Sequence, residues 1–190
     1  MTKKLYIIHC WDGTPEGNWY PWLKQKAEEN GFEVVVPLMP QTEEPRIFNW
    51  IPKMEEVVGI PDEKTYFVGH SMGCQAIARF LGTLSENTKV GGAVFVAGFF
   101  KELSNLDNND ITRNVVKHWL DTPIDFEKVK SSINKSIAIF SDDDPYVPLS
   151  NVDTYKDVLG SEIVVEHSQK HFSKITELPI ALESLLKISK

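Results

Sequence analysis

Cysteine is scarce in this chain of 190 residues, which contains only Cys10 and Cys74. Two cysteines cannot form the disulfide framework of a small secreted domain, and their spacing matches no zinc-ligand pattern. We therefore expect two reduced, buried thiols, and the sequence implies no bound metal.

Long apolar runs are also missing. Leu5–Ile8 follows Lys3 and Lys4, but it is too short for the hydrophobic core of a signal peptide. No segment approaches the roughly 20 apolar residues that a membrane-spanning helix needs. These features predict a cytoplasmic protein without membrane association.

An excess of positive charge is absent as well. The chain has 20 Lys and Arg residues against 27 Asp and Glu residues, a formal net charge of -7, with no long block of like charge. Binding to nucleic acid requires a clustered basic face, so we expect no such partner. The segment Cys10–Asn18 contains neither Gly-x-Gly-x-x-Gly nor a Walker ending, which argues against a nucleotide- or flavin-binding protein and against an organic cofactor.

The apolar residues that are present fall into short runs separated by amphipathic stretches. With 42% hydrophobic residues, residues 1–190 are expected to bury one core and form a single α/β domain. Continuous β-branched and aromatic runs are typical of parallel strands buried on both faces. Such runs predict about six strands, at Lys4–His9, Phe32–Val36, Thr65–Gly69, Ala93–Ala97, Ser136–Ser141 and Glu162–Glu166.

Helical spacing of apolar residues predicts helices on both faces of this sheet. The segments are Asn18–Asn30, Ile47–Val58, Met72–Leu84, Val152–Leu159 and Ile180–Ile188. Pro52 is expected to kink the second helix or to delay its start. Leu103–Asp110 is polar and predicts a surface excursion. Only the stretch from residue 100 to residue 130 offers room for a cap, and it is too short for a large lid.

A strand, a tight turn and a helix follow one another around Gly69-His70-Ser71-Met72-Gly73. This context makes the Gly-x-Ser-x-Gly pattern indicative of a nucleophile, because a strained strand-to-helix turn exposes the serine hydroxyl above the sheet. The sequence therefore predicts that Ser71 is a nucleophile. The N–H of Met72, at the start of the helix, is expected to donate to an oxyanion.

A nucleophilic serine needs a carboxylate and a histidine, which in this type of fold follow it along the chain in that order. Three aspartates, Asp142, Asp143 and Asp144, follow the predicted strand Ser136–Ser141. We favour Asp144 as the acid, because Asp144–Pro148 resembles the Asp-x-x-Val-Pro pattern that carries this acid in many α/β hydrolases. The other two carboxylates are expected to cap the turn or face water.

Two histidines compete for the role of base in the loop after the last strand. His167 follows the strand directly, whereas His171 has loop on both sides and Phe172 as a packing neighbour, so we favour His171. Read as a metal site, the two histidines lack a third ligand and a helix start signal. His9, His70 and His118 are expected to be structural.

The second oxyanion donor should come from the loop after the first strand, where the N–H of Trp11 is the candidate. Cys10 as an alternative nucleophile has no histidine partner at a suitable spacing. Aromatic residues near the strand ends either line an acyl pocket or belong to the core. They are Trp11, Phe99, Phe100, Trp119, Tyr146 and Phe172.

The whole pattern resembles the small serine hydrolase family named for its retinoblastoma-binding member, within the α/β-hydrolase superfamily. The matching segments are Trp19–Trp22, Pro37–Pro40, Trp50, Gly69–Gly73, Asp142–Pro148 and His171–Phe172. The resemblance implies the same assignment of Ser71, Asp144 and His171. The chain departs from the family's often glycine-rich pattern at His9–Trp11. The family also implies a serine hydrolase or esterase, with one branch associated with protein binding.

These observations predict hydrolysis of small carboxylic esters through an acyl-enzyme on Ser71. An amidase or exopeptidase would use the same triad. A protein-interaction module on the same fold is the alternative of a different class, because fold alone does not determine function. A small-molecule ester is the expected partner, a protein partner is an open possibility, and the sequence does not indicate an oligomeric state.

Overall fold

A computed structural model describes residues 2–190 and contains one six-stranded sheet. The strands are β1 (Lys3–Ile8), β2 (Phe32–Val35), β3 (Thr65–His70), β4 (Gly92–Val96), β5 (Ser136–Ser141) and β6 (Glu162–Glu166). Their order in the sheet is β2-β1-β3-β4-β5-β6, and every neighbouring pair is parallel. Each predicted strand is therefore present with bounds within one residue at either end.

Six α-helices cover the sheet in the described part of the chain. They are α1 (Tyr20–Glu29), α2 (Ile47–Val58), α3 (Met72–Thr83), α4 (Asp110–Asp121), α5 (Phe126–Ser131) and α6 (Pro179–Ile188). Buried residues of α1 and α6 pack in one core cluster, and those of α2 to α5 pack in another. None of the helices within residues 2–190 has the length and apolar character required to span a bilayer.

The two clusters lie on opposite faces of the sheet, which explains the continuous apolar runs. Along β4, Val94 and Val96 belong to one cluster, whereas Ala93 and Phe95 belong to the other. Successive side chains of a strand point to opposite faces, so a strand covered on both sides must be apolar throughout. The fold is that of an α/β hydrolase, and no large lid covers the sheet edge in the described residues.

Two helical expectations differ from the structure. Val152–Leu159 does not form a regular α-helix: a 3₁₀ turn at Leu149–Asn151 is followed by a π-helical turn at Thr154–Val158. The helix α2 begins at Ile47 despite Pro52, which lies inside it, so the proline does not delay its start. A proline in a helix interior removes one backbone hydrogen bond. Trp50 and Met54, two residues before and two residues after Pro52, are buried, and their packing stabilises the helix there.

Helices α4 and α5 were not predicted: the sequence indicated a polar surface excursion at Leu103–Asp110 and no regular element in the rest of the stretch from residue 100 to residue 130. Their start signals are side-chain caps: Asn109 accepts a hydrogen bond from the N–H of Thr112, and Asp125 accepts one from Lys128. Trp119 of α4 is fully buried and its Nε1–H donates to the carbonyl oxygen of Pro45. The stretch therefore packs on the core as well as bordering the sheet edge.

The strand order places two loops beside each other at the carboxyl edge of the sheet. β2 lies on one side of β1 and β3 lies on the other, so the chain reverses direction across the sheet between β1 and β3. Such a switch point opens a crevice at the carboxyl ends of the strands. Ile8 pairs with Gly69 in register, which brings the loop after β1 next to the turn after β3.

Candidate active site

Ser71 lies in the turn between β3 and α3 with φ 54° and ψ -113°. Few non-glycine residues adopt a positive φ, and backbone strain of this kind costs about 1–3 kcal/mol. The N–H of Ser71 donates to the carbonyl oxygen of Val96 at 2.8 Å, and the N–H of Cys74 donates to the Ser71 carbonyl at 3.0 Å. These two bonds hold the serine in its strained conformation at the start of the helix.

The two glycines of the turn are required by packing. A Cβ on Gly73 would lie 2.2 Å from the carbonyl oxygen of Ile8, and one on Gly69 would lie 2.7 Å from Cδ1 of Ile77. Real Cβ contacts are essentially never so short, so Gly73 lets α3 approach β1, and Gly69 lets the end of β3 lie against the first turn of α3, where a Cβ would also lie 2.8 Å from the Cys74 nitrogen. The expected close approach of backbone at the turn is present.

Asp144 and His171 are joined by a hydrogen bond of 2.8 Å between Oδ2 and Nδ1. The other carboxylate oxygen of Asp144 accepts the N–H groups of Tyr146 and Val147 at 2.8 and 3.1 Å. The Asp144 side chain is only 2% exposed and that of His171 is 11% exposed. An ionised carboxylate only accepts, so Nδ1 of His171 carries the hydrogen and Nε2 is left as an acceptor.

The other two aspartates bind the same loop at different points. Asp142 contacts His167 at 2.6 Å, and Asp143 contacts Lys170 at 2.7 Å. The His167 side chain is 85% exposed, and its hydrogen bond with Asp142 raises the pKa of the imidazole. His167 does not border the cavity that contains Ser71. The three aspartates together tie the β5 turn to the loop after β6.

Ser71 and His171 line one cavity of about 210 Å³, together with Met72, Trp11 and Cys10. Within residues 2–190, neither the Ser71 hydroxyl nor Nε2 of His171 has a hydrogen-bond partner. Both polar groups are therefore free for a molecule that enters the cavity. Catalytic hydrogen bonds in unliganded enzymes are often long and tighten when substrate binds.

Met72 and Trp11, whose N–H groups are the predicted oxyanion donors, both line the same cavity. Met72 is the first residue of α3, where the N–H groups have no partner within the helix and the helix dipole is positive. The Cys10 carbonyl accepts from Nδ1 of His9 at 2.8 Å and from the N–H of Gly13 at 3.1 Å. These bonds fix the planar peptide that carries the Trp11 N–H, which points away from the Cys10 carbonyl.

The aromatic residues considered for an acyl pocket divide into two groups. Trp11, Phe99 and Tyr146 line the cavity, together with Leu103 and Leu106. The other three belong elsewhere. Trp119 and Phe172 are fully buried in the core, and Phe100 packs against Tyr155 and Phe126. These contacts direct all three side chains elsewhere, although each lies near a strand end in the sequence.

A second, open groove of about 800 Å³ borders the cavity and shares Trp11, Leu106 and Tyr146 with it. Its charged lining residues are all acidic: Asp12, Glu43, Asp107 and Asp110. The groove continues the small cavity toward solvent and α4. The two together can receive a molecule larger than the small cavity alone.

Cys10 borders the cavity, but its thiol is not activated. Burial raises the pKa of Cys10, so the protonated form dominates at neutral pH. Only the thiolate is a strong nucleophile, and Cys thiols become reactive when their pKa is lowered. Cys74 is fully buried behind the turn, and burial raises its pKa still further.

The remaining three histidines make hydrogen bonds within the fold. Nε2 of His9 accepts the Met39 N–H at 3.0 Å, and Nε2 of His118 accepts the Ile47 N–H at 3.1 Å. His70 is fully buried and contacts Tyr20 and the His171 carbonyl. Sequence reasoning gave His70 no particular partner, because these contacts join segments that are far apart in the chain.

Comparisons with known proteins show the family to which the chain is similar. A family model described as serine hydrolase matches residues 5–179. YdeN of Bacillus subtilis is 32% identical over 189 residues, which are 97% of this chain and 95% of that protein. Serine hydrolase RBBP9 of Rattus norvegicus is 28% identical over 171 residues, 88% of this chain and 86% of that protein.

Solved structures show the same fold. The crystal structure of the ydeN gene product has a TM-score of 0.89 at 29% identity, covering 98% of both chains. Est1E from Butyrivibrio proteoclasticus has a TM-score of 0.75 at 16% identity, covering 98% of this chain and 88% of that one. The family match extends from β1 into the start of α6, across every element that borders the cavity. The chain belongs to the serine hydrolase family.

Proposed function

We propose that this protein hydrolyses small carboxylic esters through an acyl-enzyme on Ser71. The observation that carries the proposal is the hydrogen bond of 2.8 Å between Asp144 and His171 beside the cavity that contains Ser71. A serine at a strand-to-helix turn, a histidine and a buried carboxylate form the nucleophilic unit of a serine hydrolase.

In the acylation step, Nε2 of His171 takes the proton of the Ser71 hydroxyl while Oγ attacks the ester carbonyl carbon. The tetrahedral intermediate carries a negative oxygen, which the N–H groups of Met72 and Trp11 stabilise. Collapse breaks the bond to the alcohol, which leaves with the proton from His171. Asp144 stays ionised and stabilises the imidazolium that forms between these two transfers.

Deacylation repeats the same proton transfers with water. His171 removes a proton from a water molecule, whose oxygen attacks the acyl carbon. The second tetrahedral intermediate uses the same two N–H groups. Its collapse breaks the bond to Oγ, returns the proton to Ser71 and releases a carboxylic acid.

The size and lining of the cavity support a small acyl group. Phe99, Leu103 and Leu106 give apolar walls to a space of about 210 Å³, below the usual range for sites that enclose a drug-sized ligand. The larger groove offers space for the remainder of the ester, and its carboxylates disfavour an anionic group there. Neutral short-chain esters are therefore the proposed substrates.

Turnover of p-nitrophenyl esters tests the proposal. The series should run from acetate to octanoate, so that only the length of the acyl group changes. Wild-type protein is expected to hydrolyse the acetate and butyrate esters best, and Ser71→Ala to show no turnover above background. Ser173→Ala is the matched control, because Ser173 lines the same cavity without being in the turn.

Three results would contradict the proposal. Equal hydrolysis by wild type and Ser71→Ala would place the chemistry elsewhere. Cleavage of aminoacyl p-nitroanilides in preference to the matching esters would favour the amidase alternative. A folded wild-type protein without turnover of either class would favour an interaction module.

A further inference from the structure

A buried chain of hydrogen bonds connects the loop after β1 with the loop that carries His171. The Tyr20 hydroxyl lies 3.2 Å from the Cys10 N–H, 3.3 Å from Nδ2 of Asn18 and 2.7 Å from Nδ1 of His70. Nε2 of His70 lies 2.8 Å from the carbonyl oxygen of His171. The chain begins at the amide next to the Trp11 peptide and ends at the backbone of His171.

Counting donors and acceptors fixes every proton in this chain. The Tyr20 oxygen accepts two hydrogen bonds, from the Cys10 amide and from Asn18, so its own hydrogen must point at Nδ1 of His70. His70 is therefore the tautomer with hydrogen on Nε2, and this N–H donates to the His171 carbonyl. Burial lowers the pKa of His70 to about 4, which keeps the ring neutral at physiological pH.

The loop that receives the last bond is conformationally strained. Four of its non-glycine residues have positive φ: Ser168, Lys170, Phe172 and Lys174. Backbone in this region persists only where surrounding contacts determine it. Two further contacts come from the same segment before α1, because Nε1–H of Trp19 donates to the Phe172 carbonyl and the Lys174 N–H donates to Oδ1 of Asn18.

We propose that Tyr20 and His70 are positioning residues that set the Trp11 peptide and the His171 imidazole at a fixed distance from each other across Ser71. The proposal rests on the proposed function, in which these two groups act on the same substrate carbonyl. His70 is suited to this task because it directly precedes Ser71, so the connection passes beside the nucleophile. Neither residue touches the substrate in this account.

Tyr20→Phe tests the proposal by removing one hydroxyl. Tyr155→Phe is the matched control, because the Tyr155 hydroxyl is also fully buried but lies beside Cys74 in the core on the opposite face of the sheet, outside this chain of hydrogen bonds. Tyr20→Phe is expected to lower kcat for p-nitrophenyl acetate by at least about tenfold with little change in KM, since small displacements of catalytic groups cost this much. Tyr155→Phe should leave kcat unchanged.

His70→Asn separates the two ends of the chain. The asparagine Oδ1 can take the place of Nδ1 and accept from Tyr20, but no donor then reaches the His171 carbonyl. The second readout is the proton NMR resonance of the His171 Nδ1–H, which its bond to Asp144 moves downfield. We expect this resonance to shift or broaden in His70→Asn and in Tyr20→Phe, and to stay in place in Tyr155→Phe.

A loss of kcat at constant KM, together with the altered His171 resonance, supports the coupling. Folded Tyr20→Phe or His70→Asn protein with wild-type kcat and an unchanged resonance would overturn it. If Tyr20→Phe does not fold, His70→Asn alone decides. If wild type itself has no turnover, the proposed function fails, while the resonance still tests whether Tyr20 and His70 position His171.

Discussion

One carboxylate oxygen of Asp144 accepts a hydrogen bond from Nδ1 of His171, and the other accepts from two backbone amides of its own turn. The hydrogen bond to His171 is 2.8 Å long, and the amides are those of Tyr146 and Val147. A carboxylate held at both oxygens cannot rotate, so it fixes the orientation and the tautomer of the imidazole. The neighbouring Asp142 makes a similar contact with His167, but that pair lies in solvent.

Asp144→Asn is expected to lower kcat/KM for p-nitrophenyl acetate by about 10³- to 10⁴-fold. An asparagine can direct its NH₂ group at Nδ1, which would leave the hydrogen on Nε2, where a base is needed. Asp142→Asn is the matched control and should retain wild-type kinetics, because Asp142 contacts only the exposed His167 and the Ser168 N–H. Comparable losses in both variants would contradict the assignment of the acid.

The two histidines of the loop can be separated in the same assay. His171→Ala should abolish turnover, because no other group that lines the cavity can take the Ser71 proton. His167→Ala should keep full activity, since its ring is 85% exposed and outside the cavity. An inactive His167→Ala with an active His171→Ala would reverse the assignment of the base.

Two glycines of α3 provide a contrast in stability. In Gly73→Ala the new methyl group would lie 2.2 Å from the Ile8 carbonyl oxygen, so the turn must move and we expect strong destabilisation with loss of turnover. In Gly82→Ala nothing lies within 4 Å of the new Cβ, and we expect a gain of about 0.5–1 kcal/mol from helix propensity. Urea unfolding measures both. A Gly73→Ala protein as stable as wild type would contradict the packing account of the turn.

Acid should destabilise the fold through His70. Its pKa in the folded state is about 4, below the ordinary value of 6.5, because burial disfavours the cation. A lowered folded pKa contributes stability that is complete above the unfolded pKa and is lost as pH falls through the folded pKa. The free energy of unfolding should therefore decrease between pH 6.5 and 4, by about 3 kcal/mol from this group.

Replacement of His70 by Gln should flatten this part of the pH profile. The control is His167→Gln, where the sign is opposite: Asp142 raises the pKa of His167, so its small contribution is present below the unfolded pKa and lost as pH rises. Urea unfolding at a series of pH values measures the slopes. Equal slopes in wild type and His70→Gln would show that His70 is not a neutral buried group.

The sheet was predictable from the sequence because strands that are buried on both faces consist of continuous runs of apolar residues. Helices α4 and α5 were not, since each is short or largely exposed and depends on a single side-chain cap, Asn109 or Asp125. Val152–Leu159 has helical spacing, yet its backbone takes a π-helical turn around the buried Tyr155. Spacing reports which side chains are buried and does not fix the hydrogen-bond pattern.

In the candidate site, too, the features set by local sequence were predictable and those set by contacts between distant segments were not. The turn at Ser71 is local in sequence, and its glycines are specified by contacts made within a few residues and with β1. The connection from Cys10 through Tyr20 and His70 to His171 joins four segments that come together only in the folded sheet. No spacing rule encodes it, so the sequence predicted a structural role for His70 without indicating its partners.

Covalent labelling tests the central claim most directly. Wild type, Ser71→Ala and Ser173→Ala would each be treated with an alkyl fluorophosphonate, followed by intact mass measurement and peptide mapping. We predict one phosphonyl adduct on Ser71 in wild type and Ser173→Ala, and none in Ser71→Ala. An adduct on any other residue, or labelling that persists in Ser71→Ala, would contradict the assignment of Ser71 as the nucleophile.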